Sequence, residues 1–254
     1  MAAMENRSDI LYELLNMGEA MLLAGAEVSR VESTLSNVGR AFGASAMNVF
    51  AITATLVVTM DFPDGERLTQ TRRIVAPGPT DYRVVAAFHK LGKQCCKKTP
   101  SVEELAESIK RCTEQPPDRA TFYLGSIFAA SGFTVFFGGT ALDGLAAGLF
   151  ALALCVLQIV LPPLCKNKVL FNFLSAFAVG GLICLACRLV PALHSDKVII
   201  GDIMLLIPGL AFTNAVKDIF IGDTISGVMR LIETILWAAA LALGFALAGW
   251  LLGV

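Results

Sequence analysis

Residues 120–165 read ATFYLGSIFAASGFTVFFGGTALDGLAAGLFALALCVLQIVLPPLC, and Asp143 is the single charge among them. That residue divides the stretch into uncharged runs of 23 and 22 residues, Ala120–Leu142 and Gly144–Cys165. Each is long enough to cross a hydrocarbon core, which needs about 20 residues. The pattern repeats in Val169–Cys187 and Thr234–Val254, and between them lies Val198–Val216, interrupted only by Asp202. Five membrane spans are therefore expected, near 120–140, 143–165, 169–190, 198–216 and 231–253. A soluble bundle of buried helices is the alternative, and so many uncharged runs in one half of a chain argue against it.

Working outward, the charges crowd into the other half. Of 20 Lys+Arg and 21 Asp+Glu, 14 and 15 lie in residues 1–119. The chain is 56% hydrophobic and 16% charged, too apolar for an ordinary soluble domain. Its net charge of −1 lacks the basic footprint of nucleic-acid binding. Residues 1–118 are read as a cytoplasmic α+β domain and 119–254 as an all-α polytopic membrane domain. The polar start Met1–Ile10, followed by Glu13 and Glu19, does not have the basic start and apolar core of a signal peptide. Lys110, Arg111, Arg119, Lys166, Lys168, Lys217 and Arg230 fall on one side of the expected spans, and only Arg188 and Lys197 on the other. The excess of basic residues places the N-terminal domain in the cytoplasm of a bacterial cell, with the spans in the inner membrane and Val254 outside.

Within the first domain, apolar residues at helical spacing predict helices over 8–24 and 27–42, ended near Gly25 and Gly43. Met47–Met60 is rich in β-branched residues and reads as a strand. Asp61–Gly65 has turn chemistry, and 66–75 alternates as a second strand. Helices over 81–97 and 101–113 follow, the latter opened by a Ser101-x-x-Glu104 capping box, and Gln115–Asp118 closes the domain. Seven cysteines form no regular framework and fit free thiols. Cys95, Cys96, Cys112 and His89 could in principle gather at a metal, but adjacent cysteines lack the usual ligand spacing. No phosphate loop and no Ser/His/Asp arrangement is present, so neither cofactor nor metal is expected, and the chain does not read as an enzyme.

The segment 202–233, DIMLLIPGLAFTNAVKDIFIGDTISGVMRLIE, carries the chemistry. Pro208-Gly209 should break the fourth span at membrane depth, freeing backbone groups that only a protein interior or a wet cavity can satisfy. Thr213, Asn214, Lys217, Asp218, Asp223 and Thr224 follow closely; they form either part of a substrate site or an ordinary cytoplasmic loop. Asp202 is a candidate partner for a proton or a substrate ammonium, or else an interfacial residue near the headgroups. Asp143 is expected at an external turn in water. Arg230 and Glu233 either pair on one helical face or anchor the interface. Gly144-x-x-x-Gly148 and the small residues of the last span read as packing surfaces.

Residues 21–43, MLLAGAEVSRVESTLSNVGRAFG, resemble the opening signature of the threonine/serine exporter family, and residues 206–230, LIPGLAFTNAVKDIFIGDTISGVMR, resemble its second. The resemblance covers nearly the whole chain. Family members carrying both halves on one chain have about ten spans, and this chain resembles the N-terminal half alone. That implies a second, smaller membrane subunit resembling the C-terminal half, as in bacterial two-component exporters. One such pair is associated with succinate export. The family often has Thr where this chain has Val28; Gly25, Glu27, Arg30 and Glu32 remain as matched positions. For the last three, a solvated, salt-bridged helix face is the simpler alternative.

The expected function is secondary-active export of a small polar metabolite, threonine/serine or a C4-dicarboxylate such as succinate. The pathway would be framed by Asp202, Pro208, Gly209, Thr213, Asn214, Lys217, Asp218, Asp223, Arg230 and Glu233, and a homo-oligomer is a further candidate assembly. A zwitterion would want a cation and an acid; a dicarboxylate would want the cations alone. The rival is a membrane-anchored regulatory or scaffold protein whose first domain binds a partner.

Overall fold

A computed structural model describes residues 2–75, 81–114, 119–161, 165 and 167–253. In chain order the elements are α1 (Ala2–Leu23), α2 (Val28–Ala41), β1 (Ala46–Ile52), β2 (Thr55–Asp61), β3 (Arg67–Arg73), α3 (Tyr82–Lys97), α4 (Val102–Thr113), α5 (Arg119–Phe136), α6 (Ala141–Val160), α7 (Lys168–Leu189), α8 (Ser195–Leu206), α9 (Gly209–Ile221) and α10 (Thr224–Leu252). They form two compact units. The first is residues 1–116 with 210–231; the second is 117–209 with 232–254. The expected linker at 115–118, Lys166 and Val254 lie outside the described residues.

The first unit is built on an antiparallel sheet of order β1-β2-β3. The single strand expected over 47–60 is instead two strands of a hairpin, turning at Thr53-Ala54 with Ile52 opposite Thr55. Folding back lets each half satisfy the other's amides, which one long strand with a single neighbour could not do. β2 buries Leu56, Val58 and Met60 on one face, the period-2 pattern of a half-covered strand. α1 covers that face, and its Leu11, Leu14, Met17 and Met21 share one core with Leu35 of α2, Phe88 of α3 and Leu105 of α4. The capping box at α4 forms as expected, Glu104 N–H donating to Ser101 Oγ and Ser101 N–H to Glu104 Oε2.

The second unit has the opposite dressing. Its interior is small and partly polar: Ala130, Ala147, Ala151, Ala176, Thr134, Ser175 and Asp202 are buried. Its outside is large and apolar, with Phe128, Leu145, Leu149, Leu243 and Trp250 largely exposed. Only a lipid-like solvent makes that arrangement favourable, since in water such a surface would drive association. Glycines set the helix spacing. A Cβ on Gly244 of α10 would stand 2.6 Å from the Phe173 carbonyl oxygen and 2.7 Å from Ala176 Cβ on α7. Neither backbone can yield, so Gly244→Ala is expected to push the helices apart and cost about 1–3 kcal/mol, read as a lower denaturant midpoint in micelles.

Five spans were expected; among the described residues three helices are long and apolar enough to cross a membrane, namely α6, α7 and α10, or four if α8 and α9 count as one broken span. The first expected span, 120–140, is the exception. α5 ends at Phe136 because Gly138 takes a left-handed φ of 89°. Its 18 residues then include Arg119, with Thr121, Tyr123 and Ser126 diluting the rest. The fourth span, 198–216, is interrupted as Pro208 requires: α8 stops at Leu206 and α9 begins at Gly209. The last is longer than expected, α10 starting at Thr224 and running 29 residues.

Candidate functional site

In the first unit the two signature segments meet. Gly25, with φ of 78°, turns the chain between α1 and α2 and sets Ala26 and Glu27 at the start of α2. Across from them, Gly222 (φ 106°) turns α9 into α10. A Cβ on Gly227 would lie 2.8 Å from the Ala215 carbonyl oxygen, so its bare backbone lets the first turns of α10 press onto α9. That contact brings Arg230 opposite Asp218.

Four charges interlock there. Lys217 Nζ donates to Glu27 Oε2 at 2.7 Å, and Arg230 Nη1 donates to Asp218 Oδ2 at 3.3 Å. Arg230 Nη2 also donates to the Ala26 carbonyl oxygen at 3.1 Å. Asp218 is fully buried, and its Oδ1 has no hydrogen-bond partner among the described residues. Arg230 is nearly buried, whereas the Lys217–Glu27 pair is half open to solvent. Two acids face two bases, an even balance. Asn214 is buried one turn before Asp218, Asp223 stands just before α10 with its backbone N–H donating to the Asp218 carbonyl, and Thr213 lies on the exposed side of α9.

The remaining signature acid does something else. Glu32 Oε1 accepts the backbone N–H of Ala51 at 2.9 Å, tying α2 to β1. Burial pushes its carboxyl above the usual range, helped by the charge of Asp223 and opposed by the Ala51 bond. A carboxyl raised in the folded state adds stability that is complete below its unfolded pKa and disappears as pH rises through the folded one. Glu32→Gln keeps the acceptor and is expected to flatten the acid-favouring part of the stability–pH curve, measured by denaturant titration in micelles at a series of pH values. Arg30 joins neither pair; it lines a cleft between α2 and α3.

Asp202 belongs to the second unit. It is fully buried on α8, and among the described residues neither carboxylate oxygen has a hydrogen-bond partner. Thr134 Oγ1 and Ser175 Oγ are buried and unpartnered too, and Thr134 packs on the Gly201 backbone beside Asp202. Burying an ionised carboxylate without a hydrogen-bond donor costs several kcal/mol. Pro208 and Gly209 form the break after α8, with Gly209 N–H donating to the Ile207 carbonyl at 2.8 Å. Glu233 lies within electrostatic reach of Lys168, whose ammonium sits 3.7 Å from the Trp237 ring centroid. Arg230 is taken up by Asp218 and Ala26, so the pairing with Glu233 weighed from the sequence does not form.

Asp143 differs from expectation. It is buried and saturated rather than exposed, accepting from Thr140 N–H and Oγ1 at 2.8 Å each and from His194 N–H at 2.8 Å, with His194 Nδ1 3.0 Å away. The Thr140-x-x-Asp143 capping pattern was the legible signal; the His194 contact has none. Among the described residues no three His, Cys, Asp or Glu side chains gather as a metal site.

Apolar helices that turn their bulk outward and hold orphaned polar groups inside define a membrane protein. The chain belongs to a family of transporters, described as "Putative threonine/serine exporter" (ThrE), whose profile matches residues 13–252. No curated protein and no solved structure matches it.

Proposed function

We propose that the chain is one subunit of a secondary-active exporter that moves a small amino acid, threonine or serine, by exchanging its two charged ends for the two ion pairs Glu27–Lys217 and Asp218–Arg230. The single supporting observation is that balance: each cation is held by an acid, and buried Asp218 keeps one oxygen unpartnered. A zwitterion's carboxylate can replace an acid on Arg230 or Lys217 while its ammonium takes the released acid, so no charge is left bare. A C4-dicarboxylate such as succinate would meet Glu27 and Asp218 as like charges and is the less favoured substrate. Asp202 supplies the proton or cation partner that couples transport to an ion gradient. The basic residues flanking the apolar helices favour a cytoplasmic first unit in a bacterial inner membrane. A second membrane subunit completes the pathway.

Proteoliposomes holding the chain and that subunit, loaded with labelled threonine or succinate, test the proposal. Threonine is expected to leave faster than succinate; efflux of succinate alone, or of neither, would refute it.

A further inference from the structure

The first unit contains a second place built for charge, which shares Glu27 with the ion pairs and is otherwise made of other residues. Between α2 and α3 lies a cleft of about 710 Å³, within the size range of small-molecule sites. One wall is a stripe of α3 at helical spacing, His89, Lys93 and Lys97; the other is the facing stripe of α2, Arg30, Ser33 and Asn37. The floor closes where the helices touch, a Cβ on Gly92 standing only 2.9 Å from Thr34 Cγ2. None of Arg30, Lys93 and Lys97 has a salt bridge to a described residue. From Tyr82 to Lys97, α3 carries no acid at all. The sole acid on the walls is Glu27, and its carboxylate is already engaged by Lys217.

A concave wall of one charge sign focuses the field and gathers counter-ions. Three cations on these walls, with Glu27 already engaged by Lys217, repel one another, and an anion between them relieves that repulsion. Asn37 adds amide donors and His89 a ring nitrogen, while the Ser33 hydroxyl donates to the Arg30 carbonyl oxygen. We infer that this cleft is a binding site for a small soluble polyanion, a metabolite bearing two or more carboxylate or phosphate groups. Its cations, Arg30, Lys93 and Lys97, are not those of the proposed transport site, so such a ligand is a second ligand of the N-terminal unit rather than the transported amino acid, meeting that site only at Glu27.

Cys96 lines the same cleft and is exposed, which provides a reporter. The full chain in micelles is alkylated with N-ethylmaleimide, and the rate at Cys96 is followed by mass spectrometry against citrate or pyrophosphate, with chloride at matched ionic strength as reference. Saturable slowing of about fivefold or more by either anion is expected, and its loss in Lys93→Gln/Lys97→Gln, whose side chains are exposed and make no salt bridge to a described residue. No slowing beyond the chloride reference overturns the proposal. So does slowing that survives unchanged in the double variant, or slowing by anionic lipid vesicles while both soluble anions have no effect.

Discussion

Arg230→Gln is expected to be the most damaging single change in the chain, to folding as well as to export. It leaves Asp218, fully buried, without its hydrogen-bonded cation and takes the donor from the Ala26 carbonyl. Stripping one partner from a buried pair costs about 3–5 kcal/mol, most of it the uncompensated charge that remains. Denaturant unfolding in micelles should show that loss. Replacing both partners by apolar residues of similar size separates the two roles. Asp218→Leu with Arg230→Met removes the buried charge altogether and should recover most of the stability, because a buried ion pair exchanged for good packing is often neutral or better. Export should stay abolished, since the charges that read the substrate are gone. If the double variant transports, the pair is merely structural.

Asp202→Asn is expected to do the reverse, sparing the fold while stopping transport. The wild-type carboxylate is buried with no donor on either oxygen, so the protein carries a desolvation cost there that no contact offsets. An amide of the same shape removes that cost, and the unfolding midpoint should hold or rise. Efflux should fall by roughly 5–150-fold, the range of ordinary couplings between sites, and the remainder should no longer respond to an imposed ion gradient. A variant that loses stability and transport together would mean that Asp202 has a structural partner.

How far these residues could be found from the sequence depends on the range of the contact. Features set within one or two helical turns were legible. The Ser101/Glu104 capping box, the glycine stops at Gly25 and Gly43 and the break at Pro208 each follow from a local backbone rule. The apolar runs announced α6, α7 and α10 for the same reason: lipid solvation is decided residue by residue. The hairpin turn at Thr53-Ala54 was missed because β-branched residues continue through it, and neither Gly, Pro, Asn nor Asp marks the reversal. α5 fell short because Gly138 ended it early, bringing Arg119 into its span.

The site itself was half visible. Glu27, Lys217, Asp218 and Arg230 stood out as polar residues in signature segments, yet nothing local says that Lys217 reaches Glu27, 190 positions away. Nor does composition say that residues 210–231 fold with the N-terminal unit rather than with the apolar helices beside them in sequence. Arg230 and Glu233, three apart, invited a helical pair; the buried carboxylate of Asp218 outcompetes Glu233 because an unpaired buried charge is far costlier than a solvated one. Asp143 was misjudged on similar grounds. Its place between two apolar runs suggested water, but capping α6 and binding His194 let it be buried with every hydrogen bond made.

The central claim is that both charged ends of an amino acid replace the paired side chains, and blocking each end in turn tests it most directly. Labelled threonine efflux from proteoliposomes is measured against internal threonine, threonine amide and N-acetylthreonine as competitors. Unlabelled threonine should compete fully, and neither analogue, each lacking one charge, should compete at the same concentration. Competition by N-acetylthreonine or by the amide equal to that of threonine would show that only one end is read, and would contradict exchange with the Glu27–Lys217 and Asp218–Arg230 pairs.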